Sequence, residues 1–385
     1  MEEQLATIQF LSHEIGPRPS TSAAEARAAA YVNSRLRQAG MDVEVQTFRA
    51  VPTVTLPYAL ILLAAILTPV ATYFLPPLGL VLSILALVAF VGENLSFPIV
   101  SALLPLGTSQ NIIGSRPAAK EARQHLIVLA HLDTPRANWL FHPKMGGSFR
   151  YFFLLLLSAL ALLPLLVVLE WVLDLTWLWY VQWIPAGVAL AALLIFIHQE
   201  VLMPHVRGAN NSASGIAVLL RLAEELAGLQ HTTLWLVATG CKESGLHGAR
   251  HFLGHYPFPR ESTYVISVDH VGRGQPSIIA EQGILGTRRA DPHLLEAATQ
   301  AEAGDIAIDA DPRAYHLLNT EAQVALMRGL RALSVMALEG GRPAHLFWPS
   351  DTSAIIQPEA LERATRLLVG IGRRLDRQAA EQTET

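Results

Sequence analysis

The feature that most constrains this chain is a pair of long apolar runs with almost nothing charged in them. From Ala50 to Gly92 there is no Asp, Glu, Lys, Arg or His, and Pro76-Pro77 with Gly79 breaks the run. Each membrane crossing needs about 20 apolar residues, so this run reads as two spanning helices joined by a tight turn. The second run goes from Tyr151 to Gln199 and is broken around Glu170 and Asp174, with Trp171, Trp177, Trp179, Tyr180 and Trp183 around the break. Aromatic rings gather where a hairpin tip meets the headgroup layer, so this run also predicts two crossings. A soluble helix would need a polar face, and these segments have none. Apolar residues make up 51% of the chain and charged residues 16%, a balance that suits membrane segments joined to a globular part.

Two hairpins return the chain to the side it left, so the polar portions lie together. Arg49, Lys144, Arg150 and Arg207 flank the runs on that side, and neither tip carries Lys or Arg. The positive-inside rule then predicts a multi-pass protein of the cell membrane with its polar domain in the cytoplasm. The first twelve residues lack the basic start and apolar run of a cleavable signal. A net charge of −4 gives no reason to expect a nucleic-acid partner, and the single cysteine, Cys241, suits a reducing compartment. The expected division is an α/β domain from 1–50, 108–140 and 201–385, with hairpins at 51–107 and 141–200.

Ser22-Ala-Ala-Glu25 reads as a capping box opening a helix that stops at Gly40. Val43 to Phe48 and Asn111 to Gly114 predict a pair of strands. His125 to Ala130, Leu234 to Ala238, Tyr264 to Val268 and Ser334 to Leu338 are continuous apolar runs of the buried-strand type. A helix with Ile216, Leu219, Leu220, Ala223 and Leu226 on one stripe follows Gly208 to Gly215, and another spans Pro358 to Leu375. Strands alternating with helices predict an α/β fold: a mostly parallel central sheet flanked by helices, with the two transmembrane helical hairpins inserted. His131, Asp133, Glu243 and Asp269 each fall just past such a strand, and a parallel sheet gathers those ends at one edge. Imidazole and carboxylates together suit zinc. Cys241 reads as a small buried residue, His247, His251 and His255 as solvated or capping groups, and Ser350-Asp-Thr352 as a helix-start cap.

Six stretches in this order resemble the M28 family of zinc metallopeptidases, the aminopeptidase group. They are Gly16-Pro-Arg-Pro, Ala130-His-Leu-Asp133, Gly208-Ala-Asn-Asn-Ser-Ala-Ser-Gly215, Glu243-Ser-Gly-Leu-His-Gly248, Val268-Asp-His-Val-Gly272 and Pro349-Ser-Asp-Thr352. The resemblance implies a zinc-exopeptidase-like fold and a site for two zinc ions. It assigns His131 and Asp269 to one ion and Glu243 to the other, with Asp133 orienting His131. The chain departs from the family at three places. Asn211 stands where an aspartate bridges the ions, Lys242 where a glutamate is the general base, and Phe347 where a last histidine binds. His345 could reach that place only from a shifted register.

Neutral Asn211 cannot screen two dications from each other, so at most one zinc ion is expected, or none. A protonated Lys242 is no base, but its ammonium could supply positive charge among Asp133, Glu243 and Asp269. The chain therefore reads as a membrane-embedded pseudopeptidase with a degenerate active site, used as a binding or scaffold module. The alternative is an active membrane-bound zinc metallopeptidase, an aminopeptidase or other amide hydrolase, with one metal on His131 and Asp269, with or without Glu243, and His345 or another group as base. The second hairpin leaves the chain a few residues after Asp133, so the expected partners are the lipid bilayer, a membrane protein or a juxtamembrane peptide.

Overall fold

Residues 1–95, 97–145, 148–305 and 307–381 are described by a computed structural model, and they divide into two units. One comprises Met1–Pro52, Gly107–Pro135 and the chain from His205 on; the other comprises Thr53–Leu106 and Arg136–Pro204.

The first unit is a mixed sheet between helices. Its strands are β1 (Asp42–Ala50), β2 (Gly107–Arg116), β3 (Gln124–His131), β4 (Thr232–Thr239), β5 (Thr263–Val268), β6 (Gln275–Gln282), β7 (Arg288–Arg289), β8 (Asp311–Tyr315) and β9 (Arg331–Leu338). They run in the order β1-β2-β4-β3-β5-β9-β6-β7, with β8 on β6. The four central strands β4, β3, β5 and β9 are parallel, and β2 and β6 join them antiparallel on either side. The central strands are continuously apolar because both faces are covered. On one face Leu126, Val128, Leu236, Ile266 and Val335 pack with helices Ala23–Gln38, Ser214–Glu225, Pro292–Ala303 and Pro358–Glu381. On the other, Ile127, Leu129, Val237 and Val265 pack with helices His247–His255 and Glu321–Met327.

The last helix runs past the expected Leu375 to Glu381. Its added turns are held by Asp376, which accepts from the backbone N–H of Gln230 and His231, and by Arg123, which donates to the carbonyl of Ala379. Those partners lie about 150 and 256 residues away in sequence, so local pattern gave no sign of them.

The second unit holds four helices long and apolar enough to cross a membrane: Thr55–Phe74, Pro76–Asn94, Ser148–Leu173 and Leu178–Leu202. At 1.5 Å per residue even the 19-residue helix spans roughly 28 Å, close to a hydrocarbon core of about 30 Å. Leu60, Leu67, Val81, Leu85, Leu165, Ile184 and Leu194 lie exposed along them, as a lipid-facing surface requires. Pro76 sits in the first turn of its helix, where a missing N–H costs nothing. The hairpins are tied by polar contacts: Gln182 donates to Glu170 near one tip, and Trp179 Nε1 donates to the carbonyl of Pro69 at 2.8 Å. Gly79 lets the first hairpin close, since a Cβ there would stand 2.0 Å from Thr72 Oγ1. Gly79→Ala is expected to cost about 1–3 kcal/mol by overpacking, read as a lower unfolding temperature in detergent. Unchanged stability would mean that Thr72 moves aside.

Candidate functional site

The carboxyl ends of β3, β4 and β5 bring His131, Asp133, Lys242, Glu243 and Asp269 into one hydrogen-bonded group. The turn after β4 presents Lys242 and Glu243, and side chains from elsewhere hold its backbone. Four successive N–H groups are each caught: Gly240 by Asn111 Oδ1, Cys241 by Glu25 Oε1, Lys242 by Asp133 Oδ1 and Glu243 by Asp133 Oδ2, at 2.8–3.1 Å. Gly240 is needed at this point because a Cβ would fall 2.2 Å from Ser109 Oγ and 2.7 Å from the carbonyl of Gln110.

Glu25 belongs to the expected capping box, and Ser22 does accept from the N–H of Glu25. Its carboxylate turns away from Ser22, however, to take Thr21 N, Ser109 Oγ and Cys241 N. Burial, and then the nearby Asp133, push it up to about 8. Cys241 is buried with Phe48 and Ala50. The expected cap at Asp351 serves a distant turn instead: its two oxygens accept from the N–H of Asn210 and Asn211 at 2.7 and 3.0 Å. His247 is buried rather than solvated, and burial lowers it to about 4.

Within the group, Lys242 Nζ donates to Glu243 Oε1 and Asp269 Oδ2, both at 2.9 Å. His131 has a carboxylate at each ring nitrogen: Asp133 Oδ1 lies 3.3 Å from Nδ1 and Asp269 Oδ1 lies 3.2 Å from Nε2. Burial and Lys242 oppose protonation of His131, but Asp269 and Asp133 outweigh them and raise it to about 10. Burial likewise opposes the charge on Lys242, and Asp269 with Glu243 raises it further above the ordinary lysine value. Asp269 is held well below the usual carboxylate range against its own burial by His270, Lys242 and His131. Two cations thus face three carboxylates. Asn211 is fully buried, and neither atom of its amide has a hydrogen-bond partner among the described residues. His345 turns aside to Ser350 Oγ at 2.6 Å, and Phe347 sits half-buried in a left-handed backbone conformation with φ of 49°.

Gly16-Pro-Arg-Pro has a structural meaning that its spelling hid. The Arg18 guanidinium is buried completely and donates to the carbonyls of Leu11, Gly16, Leu132, Arg207 and Gly208 and to Ser212 Oγ. It fastens the segment before it to the chain beside Asp133. Ser20 then donates to Asp133 Oδ2 at 2.7 Å. Arg18, Ser20, Glu25 and Asn111 are the positioning residues that sequence reasoning missed, and only Glu25 gave a local signal.

The profile of peptidase family M28 matches residues 192–371, a stretch that contains Asn211, Lys242, Glu243, Asp269 and Phe347. That stretch of the chain is M28 peptidase-like. No curated protein matches it in sequence. Among solved structures it is similar to a zinc aminopeptidase from Bacillus subtilis, at 15% identity over 96% of this chain and 93% of that one, with a TM-score of 0.57. It is also similar to an aminopeptidase from Aneurinibacillus sp. strain AM-1, at 14% identity over 97% and 92%, TM-score 0.56. A glutaminyl cyclase from Fimbriiglobus ruber gives 14% identity over 97% and 94%, TM-score 0.57. At these identities the likeness shows the fold, a mixed α/β sheet of the zinc-exopeptidase kind.

The M28-like site, as its side chains are arranged, does not fit the family's two zinc ions. His131 Nε2 and Asp269 Oδ1 are hydrogen-bonded to each other at 3.2 Å, so a zinc ion would have to displace the proton they share. Glu243 and Asp269 are already joined by the ammonium of Lys242, which a dication could replace only against like-charge repulsion. Among the described residues no group of three His, Cys, Asp or Glu side chains has the geometry to hold a metal ion.

Proposed function

We propose that this M28-like protein is a membrane-anchored pseudopeptidase whose cytoplasmic domain binds or scaffolds a partner and does not hydrolyse it. The bond from Lys242 Nζ to both Glu243 and Asp269 carries this reading. That ammonium stands at the family's general-base position, is fixed by two carboxylates and has no free electron pair with which to take a proton from water. Asn211 supports it, because an amide cannot supply the negative charge that a bridging carboxylate gives.

The retained shape speaks for a pocket still in use. Cys241, Leu246, His270, His345 and Phe347 all hold left-handed backbone in the loops that follow β4, β5 and β9. Such conformations cost about 1–3 kcal/mol each and persist where the surrounding structure demands them. The chain enters its second apolar hairpin from Arg136, three residues after Asp133, which favours a partner at the bilayer: a juxtamembrane peptide or another membrane protein. One observation favours the rival single-metal hydrolase: His131 Nε2 remains 4.0 Å from Glu243 Oε1 and 3.2 Å from Asp269 Oδ1.

Metal analysis and an aminopeptidase assay on the detergent-purified protein decide between them. The parent is expected to hold far less than stoichiometric zinc and to show no turnover. The combined variant Asn211→Asp, Lys242→Glu, Phe347→His is expected to gain zinc. Near-stoichiometric zinc with turnover in the parent would overturn the proposal.

A further inference from the structure

The apolar surface of the second unit does not stop where its helices stop. From Leu95 to Leu106 the chain carries no Asp, Glu, Lys, Arg or His, yet these twelve residues are too few to cross a bilayer, which takes about 20. Nor does a core cover them. Leu103 is 77% exposed, and Phe97, Ile99 and Leu106 are exposed as well. The segment is held from within by a buried carboxylate: Glu93 Oε1 accepts from the N–H of Val100 and Ser101 at 2.8 and 2.9 Å, and Glu93 Oε2 accepts from Ser101 Oγ at 2.6 Å. The helical turn Val100–Leu103 therefore needs no water to satisfy its first N–H groups.

The same end of the four helices gathers aromatic and basic side chains. The ring of Phe90 lies 5.3 Å from Phe153 and 5.7 Å from Tyr58, and Tyr58 lies 5.2 Å from Phe196, so the four helix ends remote from the two tips stand at one level. Just before helix Ser148–Leu173 the chain exposes Trp139 and Lys144, and the first turn of that helix exposes Arg150 and Tyr151. The acids at this level are already engaged: Glu93 in the turn above, and Glu200 with Arg136 Nε at 3.3 Å and Thr53 Oγ1 at 2.7 Å. No acid among the described residues pairs with Lys144 or Arg150. In water the exposed Phe and Leu side chains would cost free energy, whereas a headgroup layer suits every group present: acyl chains meet the apolar side chains, aromatic rings sit among the esters, and phosphates meet the cations. We propose that Phe97, Leu103, Leu106 and Trp139 lie in the headgroup layer and, with Lys144 and Arg150, form a surface that binds anionic phospholipid. This surface continues the lipid-facing sides of the spanning helices, and its unopposed positive charge selects anionic over zwitterionic headgroups. It goes beyond the pseudopeptidase reading and does not depend on it.

The test is electron paramagnetic resonance on the full chain in nanodiscs of equal parts phosphatidylcholine and phosphatidylglycerol. A nitroxide on Leu103→Cys reports depth through its collisions with oxygen, which concentrates in lipid, and with a nickel chelate, which stays in water. Labels on Leu190→Cys, exposed on a spanning helix, and on Arg289→Cys, 84% exposed on β7, set the two limits, and the parent with its buried Cys241 gives the background. Leu103 is expected between these limits, more open to oxygen than to nickel. Nickel access equal to that of Arg289 would overturn the proposal, and so would shielding from both reagents, because protein would then cover the segment. A Leu190 label open to nickel would overturn the membrane reading itself. Trace spin-labelled lipids then measure selection: phosphatidylglycerol is expected to associate about five-fold more strongly than phosphatidylcholine, and the double variant Lys144→Gln, Arg150→Gln to bring the two nearly level. Both substitutions replace exposed side chains, so the fold is not at stake. Equal association in the parent, or a preference unchanged in the double variant, would overturn the choice of anionic lipid.

Discussion

Lys242→Met is expected to destabilise the peptidase-like unit by about 3–5 kcal/mol, the usual consequence of removing one partner from a buried charge group. The substitution keeps the length of the side chain and removes its charge. Glu243 Oε1 and Asp269 Oδ2 each lose a donor at 2.9 Å, and three buried carboxylates are left with His131 and, at Asp269, His270. The sign of the pH effect follows. Carboxylates without their cation titrate above their unfolded values, so their penalty is present at neutral pH and fades as pH falls toward about 4. Urea unfolding of Lys242→Met should therefore show a deficit that is large at neutral pH and smaller in mild acid. Zinc is not expected to repair it, because Asn211 and Phe347 still stand where the family's bridging aspartate and last histidine would be. A deficit below about 1 kcal/mol, the range of a solvent-exposed ion pair, would remove the electrostatic basis of the pseudopeptidase reading.

Arg18→Met should cost a comparable amount, about 3–5 kcal/mol, for a different reason. The guanidinium serves five backbone carbonyls drawn from three separate parts of the chain. Removing it leaves them buried without a donor, and methionine has none to offer. Burial lowers the arginine to about 10, so it stays charged near neutrality and the effect should not vary between pH 6 and about 8. Arg18→Lys should rescue little, since three donors on one atom cannot reach acceptors spread around a planar fork. Limited proteolysis is the direct measurement: cleavage within Phe10–Ile15 should rise steeply in both variants. Cleavage at the parent rate would show that the segment is held by Ile8 and Leu11 in the core and not by Arg18.

These two residues mark how far the sequence could be read. Lys242 stood out because it occupies one defined place in a familiar motif. Its partners did not: Asp269 is 27 residues away, on the far side of β3 from β4. Arg18 was legible only as part of a spelling. Strands β6, β7 and β8 escaped notice altogether; β8 is Asp-Pro-Arg-Ala-Tyr with four exposed residues, and β7 is two arginines. β7 and β8 are edge strands, polar and short because one side faces water, and β6, though inside the sheet, has an apolar run of only Ile278 to Ala280, so none shows the pattern that revealed β3, β4 and β5.

The apolar hairpins, the central strands and the chemistry at their ends were set by residues close together in the chain, where hydrophobic length and period act locally. Which charges meet was decided only in three dimensions. A parallel sheet brings distant strand ends side by side, and once buried each ion must find an opposite charge or a donor. Lys242 between Glu243 and Asp269 and Glu25 on the N–H of Cys241 both follow from that packing.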